Sequence, residues 1–231
     1  MSFSDKHVVV TGGTGALGTA VVGALVQDGA HCIVPYVHEH EAQAFPHRGH
    51  ASVRLIAVRD LADKADVARL YAAVQAPLWA SIHIAGGFAM GNVADTDKAV
   101  LMAQIETNLI SCFLCCGAAV RAMSGGGRIV NVAARPALEW RSGAGMSAYT
   151  VAKAGVAALT VALAEEVAKD GILVNAVAPS IMDTPANHAA MPKADHSAWP
   201  KVEEVAATIL FLASPDNHVT RGAIVPVYGR T

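Results

Sequence analysis

The chain has 231 residues, with 17 Lys and Arg against 19 Asp and Glu, a formal net charge of -2 and 53% hydrophobic residues. That length suits one compact domain over residues 1–231, and near-neutral charge gives no global attraction to nucleic acid or an anionic membrane. Charged residues make up 16% against about 25% in an average domain, so part of the surface is expected to be covered by further copies of the chain.

Met1 to His7 lacks a basic start followed by a long apolar stretch, so no secretory signal is expected. The longest uncharged apolar stretch, Ala154 to Ala164, falls short of the ~20 residues that span a bilayer. A cytoplasmic protein without a membrane partner is the expectation. Val8 to Val10 is a β-branched run ending in Thr11-Gly12-Gly13-Thr14-Gly15-Ala16-Leu17-Gly18, followed by an amphipathic segment through Gln27 and a second strand, His31 to Val37. Strand, glycine-rich turn, helix and strand make a βαβ unit.

The alternation continues. Ser52 to Val58 reads as a strand, Asp63 to Gln75 as a helix, and Trp79 to Ala85 as a strand ending at Gly86-Gly87. A long helix from Asp97 to Met123 precedes the strand Arg128 to Ala133. Ser147 to Lys169 is helical, Gly171 stops it, and Ile172 to Ala178 is a strand; Pro200 to Ala213 is a last helix and Ala223 to Tyr228 a last strand. Seven apolar strands separated by helices predict an α/β chain of one domain, with a doubly wound seven-stranded parallel sheet and helices on both faces, the Rossmann architecture. Ligands of such sheets bind outside the carboxyl ends of the strands.

The glycines after the first strand let the chain turn sharply and bring its backbone against a phosphate. The following helix aims free N–H groups and its positive dipole end at that anion. Gly12, Gly13, Thr14, Gly15, Ala16, Leu17 and Gly18 are therefore candidate cofactor contacts. Tyr149 and Lys153 stand four residues apart, on one helix face. A phenol is a poor acid–base group at neutral pH, and a nearby ammonium is expected to lower its pKa and make it useful.

In these motifs the sequence resembles the short-chain dehydrogenases/reductases, over essentially the whole chain. Thr11-Gly12-x-x-x-Ala16-x-Gly18 is similar to their T-G-x-x-x-G-x-G, with Ala16 for the middle glycine. Asp60-Leu61 matches an adenine-contacting Asp and its neighbour, and His83-Ile84-Ala85-Gly86 stands where the family has N-N-A-G. Asn108 matches the active-site helix Asn; Val174-Asn175-x-Val177-x-Pro179-Ser180 resembles V-N-x-V-x-P-G, and Ile181 and Thr184 align with nicotinamide-holding residues. The resemblance implies a nicotinamide cofactor held by the first turn, Asp60, Leu61, Ala85, Gly86, Gly87, Tyr149, Lys153, Pro179, Ile181 and Thr184. It also implies that Tyr149 is the proton donor, Lys153 its partner and ribose ligand, and Asn108 a relay.

An NAD enzyme of this fold carries Asp or Glu at the end of the second strand. Here Tyr36 stands there, with His38 and His40 just beyond. This leans towards NADP and leaves NAD open. The family's strand-end Ser is replaced by Ala133-Ala134; losing such a polarising donor costs about 100-fold in rate, and Ser142 or Ser147 is a candidate substitute. Ser147 also reads as a helix cap. The missing Ser, the G-G-x-G-A-L-G turn and Ala85-Gly86-Gly87 are similar to the quinonoid dihydropteridine reductase branch.

The expected activity is hydride transfer between the nicotinamide cofactor and a small carbonyl, alcohol or imine compound. The alternatives are a quinonoid dihydropteridine reductase proper and a dinucleotide-binding regulatory or redox-sensing protein. Phe88, Met90, Trp140 and Met146 are candidates for an apolar pocket under the 180–200 loop. Cys112 and Cys115 form a C-x-x-C with no second pair, which predicts buried structural thiols and no metal site. The apolar helices Asp97 to Met123 and Ser147 to Lys169 need a second partner surface, and the family forms a subunit contact with them, so a homodimer or homotetramer is expected.

Overall fold

In the computed structural model, which describes residues 2–231, apolar β-branched runs form the strands and the segments between them cover both sheet faces. The strands are β1 (His7–Thr11), β2 (His31–Tyr36), β3 (Val53–Ala57), β4 (Leu78–His83), β5 (Gly127–Val132), β6 (Ile172–Pro179) and β7 (Ile224–Val227). The helices are α1 (Ala16–Gln27), α2 (Glu39–Ala44), α3 (Lys64–Ala72), α4 (Lys98–Gln104), α5 (Ser111–Ala122), α6 (Arg135–Leu138), α7 (Ser147–Glu166), α8 (Pro185–Ala190) and α9 (Val202–Ala213). The strands form one sheet in the order β3-β2-β1-β4-β5-β6-β7, all parallel, as the alternation predicts.

Two cores result, one on each face. Leu17, Val21 and Leu25 of α1 and Val205, Ile209 and Leu212 of α9 pack on Val8, Val10, Ile82 and Val130. On the other face Val67 and Leu70 of α3, Cys112 and Cys116 of α5 and Val156 and Leu163 of α7 pack on Val9, Ile129 and Val174. The chain moves outward from β1 through β2 to β3, then crosses to β4 on the other side of β1. This reversal opens a crevice at the carboxyl ends of β1 and β4, where parallel sheets bind ligands.

Three differences from the sequence reading bear on the site. The helix predicted over Asp97 to Met123 runs from Lys98 to Ala122, but Ile105–Ile110 between α4 and α5 is wound as a π turn around the buried Asn108. Such turns recur at functional sites, and apolar periodicity does not reveal them. The stretches Lys98–Ala122 and Ser147–Glu166 are long and apolar enough to cross a membrane by length and composition. The sequence estimate missed this because it counted only uncharged runs. Finally, α2, α6 and α8 were not foreseen, being too short to show a period; α8 did carry a start signal in Thr184-Pro185, where Thr184 accepts from Asn187 N–H at 3.3 Å.

Candidate active site

The turn between β1 and α1 has no spare room. Gly12 has φ +67°, a left-handed conformation suited to glycine, and a Cβ there would lie 2.6 Å from the Ala85 nitrogen. A Cβ on Gly18 would lie 2.1 Å from the Gly12 carbonyl oxygen. The turn therefore lies against the chain just beyond β4, and α1 lies against the turn. Gly15 precedes α1 and supplies no side-chain cap, so the first N–H groups of the helix point outward without an intrahelical partner. Ala16, in place of the expected glycine, simply begins the helix, exposed. Thr14 and Leu17 complete the turn, with Leu17 in the core.

At the far end of the crevice Tyr36 closes β2 and His38 precedes α2, its ring stacked on His40 at 5.5 Å. Burial and the neighbouring Glu39 carboxylate push the Tyr36 phenol up. Sequence reasoning saw no carboxylate here because it looked at the strand end; the start of α2 supplies one. Asp60 is exposed beyond β3, with its own carboxylate accepting from Ala62 N–H at 2.7 Å, while Leu61 is buried. The loop holding them hangs on Asp66, which sequence reasoning missed. Its buried carboxylate accepts from the Arg59 and Asp60 N–H groups at 2.6 and 3.0 Å and pairs with both Arg59 and Arg69. Burial alone would raise this carboxyl, but those donors hold it down at about 2. The spacing Asp63-x-x-Asp66 was the available signal, since Asp63 caps α3 through the Asp66 N–H.

Beyond β4, Asn108 grips Gly87 on both sides. Its Oδ1 accepts from Gly87 N–H at 3.2 Å and its Nδ2 donates to the Gly87 carbonyl at 3.0 Å. Gly86 lies against the same group: a Cβ there would meet Asn108 Oδ1 at 2.6 Å and Lys153 Nζ at 3.3 Å. Asn108, Gly86 and Lys153 are thus brought together from three elements. Lys153 is buried, and its Nζ donates to the Val132 carbonyl at 2.8 Å. Tyr149 lies one turn earlier on α7, with Phe88 edge-on at 5.0 Å and Lys153 Nζ 5.9 Å from its ring centre.

The electrostatics correct one expectation. Burial pushes the Tyr149 phenol up to about 12 and brings the Lys153 ammonium down to about 8. Desolvation is the largest cause at both groups, so the phenol stands above its ordinary value beside Lys153 rather than below it. Neither serine candidate joins the pair. Ser142 Oγ donates to the Glu139 carbonyl at 2.7 Å, and Ser147 lines a cavity with Val93, Asp97, Leu101 and Val151. Two residues along a helix turn a side chain about 200° away, which is why Ser147 misses Tyr149. It is also not a hydrogen-bonding cap of α7. Ala133 and Ala134 are both buried where the hydroxyl was expected.

The substrate side is apolar and open: Phe88, Met90 and Trp140 are 59, 68 and 75% exposed. Pro179, the last residue of β6, is buried; in the loop that follows Ile181 is exposed and Thr184 buried. In that loop His188 Nε2 lies 2.6 Å from Asp183 Oδ1 and its ring stacks on His196 at 4.0 Å. Ser180, in the family's glycine position, donates to the Tyr228 carbonyl at 2.9 Å.

The family model described as short chain dehydrogenase matches residues 6–195. A cis-4-hydroxycyclohexanecarboxylate dehydrogenase from Sinomonas cyclohexanicum is 35% identical over an alignment covering 99% of this chain and 97% of its own. This chain belongs to the short-chain dehydrogenase family. The (2S)-[(R)-hydroxy(phenyl)methyl]succinyl-CoA dehydrogenase subunit BbsD of Thauera aromatica is 31% identical to this short-chain dehydrogenase, over 99% of this chain and 97% of its own. The solved structure of a short-chain type dehydrogenase/reductase from Mycobacterium ulcerans superposes with a TM-score of 0.89 at 25% identity, covering 100% of this chain and 90% of its own. The protein is an oxidoreductase. These matches support the family and not the quinonoid dihydropteridine reductase branch in particular.

Proposed function

We propose that this short-chain dehydrogenase moves hydride between a nicotinamide dinucleotide and a small, largely apolar carbonyl, alcohol or imine compound, with Tyr149 as its acid–base. The observation that carries the reading is the convergence of Tyr149, Lys153, Asn108 and Gly86 beside a turn whose Gly12 and Gly18 leave no room for a side chain. The residues suit that cofactor. The uncapped start of α1 would meet a phosphate with its unpaired N–H groups, and Gly12, Gly13, Thr14, Gly15, Ala16, Leu17 and Gly18 would form its floor. Asp60 and Leu61 would border the adenine end, Tyr36 and His38 the ribose, and Ala85, Gly86, Gly87, Pro179, Ile181 and Thr184 the nicotinamide end.

When bound, the nicotinamide ring supplies or accepts the hydride. In the reducing direction Tyr149 Oη gives its proton to the substrate oxygen or nitrogen, and the Lys153 ammonium stabilises the phenolate left behind. The high pKa of Tyr149 keeps that proton in place at neutral pH. Asn108 positions the Gly86-Gly87 backbone, and Phe88, Met90 and Trp140 offer an apolar wall. Tyr36 carries no repelling charge at neutral pH, which favours NADP, whereas Glu39 beside it favours NAD.

Oxidation of NADPH and NADH, followed at the nicotinamide absorbance band with carbonyl compounds and a quinonoid pterin, tests the reading. Turnover with at least one carbonyl or imine is expected. Tight dinucleotide binding without turnover across the panel would favour a regulatory role. We further infer a dimer or tetramer, because Val100, Met102, Phe113, Val151 and Val161 are exposed on the helices around α5 and α7. A monomer by light scattering would contradict it.

A further inference from the structure

Behind the catalytic pair, β4, β5 and α5 direct four metal-capable donors to one buried point. His83 ends β4, Asn131 lies in β5, and Cys112 and Cys116 are one turn apart on α5; none is more than 5% exposed. Asn131 Oδ1 is 2.8 Å from His83 Nδ1, 3.3 Å from Cys112 Sγ and 3.5 Å from Cys116 Sγ. Cys116 Sγ is also 3.5 Å from His83 Nδ1. The imidazole nitrogen and the two sulfurs all lie within 4.8 Å of one another.

Two features point beyond an ordinary hydrogen-bond network. First, three potential donors converge on one amide oxygen that has two lone pairs. Second, the three contacts that involve sulfur, at 3.3, 3.5 and 3.5 Å, have the length of the edges of a coordination tetrahedron, while the 2.8 Å His83–Asn131 contact is a hydrogen bond that opens on binding. Bonds of about 2.3 Å to sulfur and about 2.0–2.2 Å to nitrogen or oxygen place neighbouring ligands roughly 3.3–3.8 Å apart. The outer contacts hold the donors in place. His83 Nε2 is 2.8 Å from Ser81 Oγ and 3.2 Å from Tyr71 Oη, so the ring presents Nδ1 to the sulfurs, as a ligating imidazole does when its far N–H is held. Asn131 Nδ2 donates to Thr160 Oγ1 at 2.9 Å, which keeps its oxygen turned the same way.

We propose that His83, Cys112 and Cys116, with the Asn131 side-chain oxygen as fourth donor, bind a thiolate-preferring divalent ion of the zinc class at a structural site. Binding releases the two thiol protons to solvent, and the His83 ring takes the tautomer that carries its one proton on Nε2, where the N–H donates a hydrogen bond to Ser81 Oγ and Nδ1 is left to ligate. Two thiolates and one dication leave the buried cluster neutral, which removes the main cost of burying its charges. Sulfur ligands select zinc over magnesium or calcium. The ion would tie α5 to β4 and β5, one residue from the Val132 carbonyl that holds Lys153. The C-x-x-C pair was the wrong pair to weigh: the converging sulfurs are four residues apart, and the imidazole comes from a strand 29 residues earlier.

The test is metal content in the full chain, produced with added zinc chloride or refolded from urea with equimolar Co2+, then desalted against a chelator. About one ion per chain is expected, and the Co2+ form should show thiolate-to-cobalt charge transfer in the near ultraviolet with tetrahedral bands in the visible. His83→Asn and the double variant Cys112→Ser, Cys116→Ser should each retain at least tenfold less metal, while Cys115→Ser retains it fully. Folded wild-type protein free of metal after both treatments overturns the proposal without reference to any variant. Bound cobalt lacking the thiolate band, or retention indifferent to His83, Cys112 and Cys116 in variants that fold, overturns it as well.

Discussion

The two sides of the crevice at the carboxyl ends of β1 and β4 are built on different principles. On the cradle side the backbone is the ligand surface: Gly12 and Gly18 leave no space for a Cβ, and α1 begins with bare N–H groups. On the substrate side the surface consists of exposed side chains, Phe88, Met90 and Trp140, beside a loop carrying stacked histidines. A backbone surface tolerates almost no change. A side-chain surface can be rewritten without disturbing the fold, which is how one fold serves many substrates.

The sharpest way to break this contrast is within the cradle itself. Gly18→Val is expected to abolish dinucleotide binding or weaken it at least ~100-fold, about 2.7 kcal/mol, as read by fluorescence titration with NADPH. Gly15→Ala, whose Cβ would make an ordinary 3.5 Å contact, should bind within about twofold of the parent. Equal effects would refute the steric argument.

Next in size is Lys153. Lys153→Met is expected to lower turnover by about 100-fold or more. In the wild type, activity should decline above about pH 8, where the buried ammonium loses its proton, and Lys153→Arg should move that decline upward. A rate flat to pH 10 would sever charge from function. On the open side the effects should be smaller: Trp140→Ala should raise KM about tenfold with kcat within about twofold, the pattern of a group that binds substrate and transition state alike.

The smallest effect on turnover belongs to Asp66, which supports the cradle from outside. Asp66→Asn is expected to lower the thermal midpoint at pH 7 while leaving turnover close to the parent. A carboxyl held below its ordinary value stabilises the fold above that value and loses this contribution as pH falls from about 3.8 towards about 2. The gap between variant and parent should therefore close in acid. A gap that persists at pH 2 would assign the effect to packing.

The cradle was legible in the sequence because strand, glycine turn and helix are local and each has its own signature. The parallel, doubly wound sheet followed from the alternation alone, and Tyr149 with Lys153 from a four-residue spacing. What stayed hidden depends on distance through space. The His83–Asn131–Thr160 chain joins two strands and a helix, the grip of Asn108 on Gly87 depends on a π turn, and Glu39 reaches Tyr36 only once α2 forms. Ser147 shows the same limit: it is near Tyr149 in sequence, yet two residues along α7 turn its side chain about 200° from the tyrosine.

The central claim is that Tyr149 delivers the proton from inside the dinucleotide crevice. Tyr149→Phe removes one oxygen, keeps the ring against Phe88 and tests it directly. NADPH or NADH should bind within about threefold of the parent while turnover falls at least ~1000-fold, near the upper range of acid–base catalysis. Undiminished turnover in that variant would contradict the mechanism.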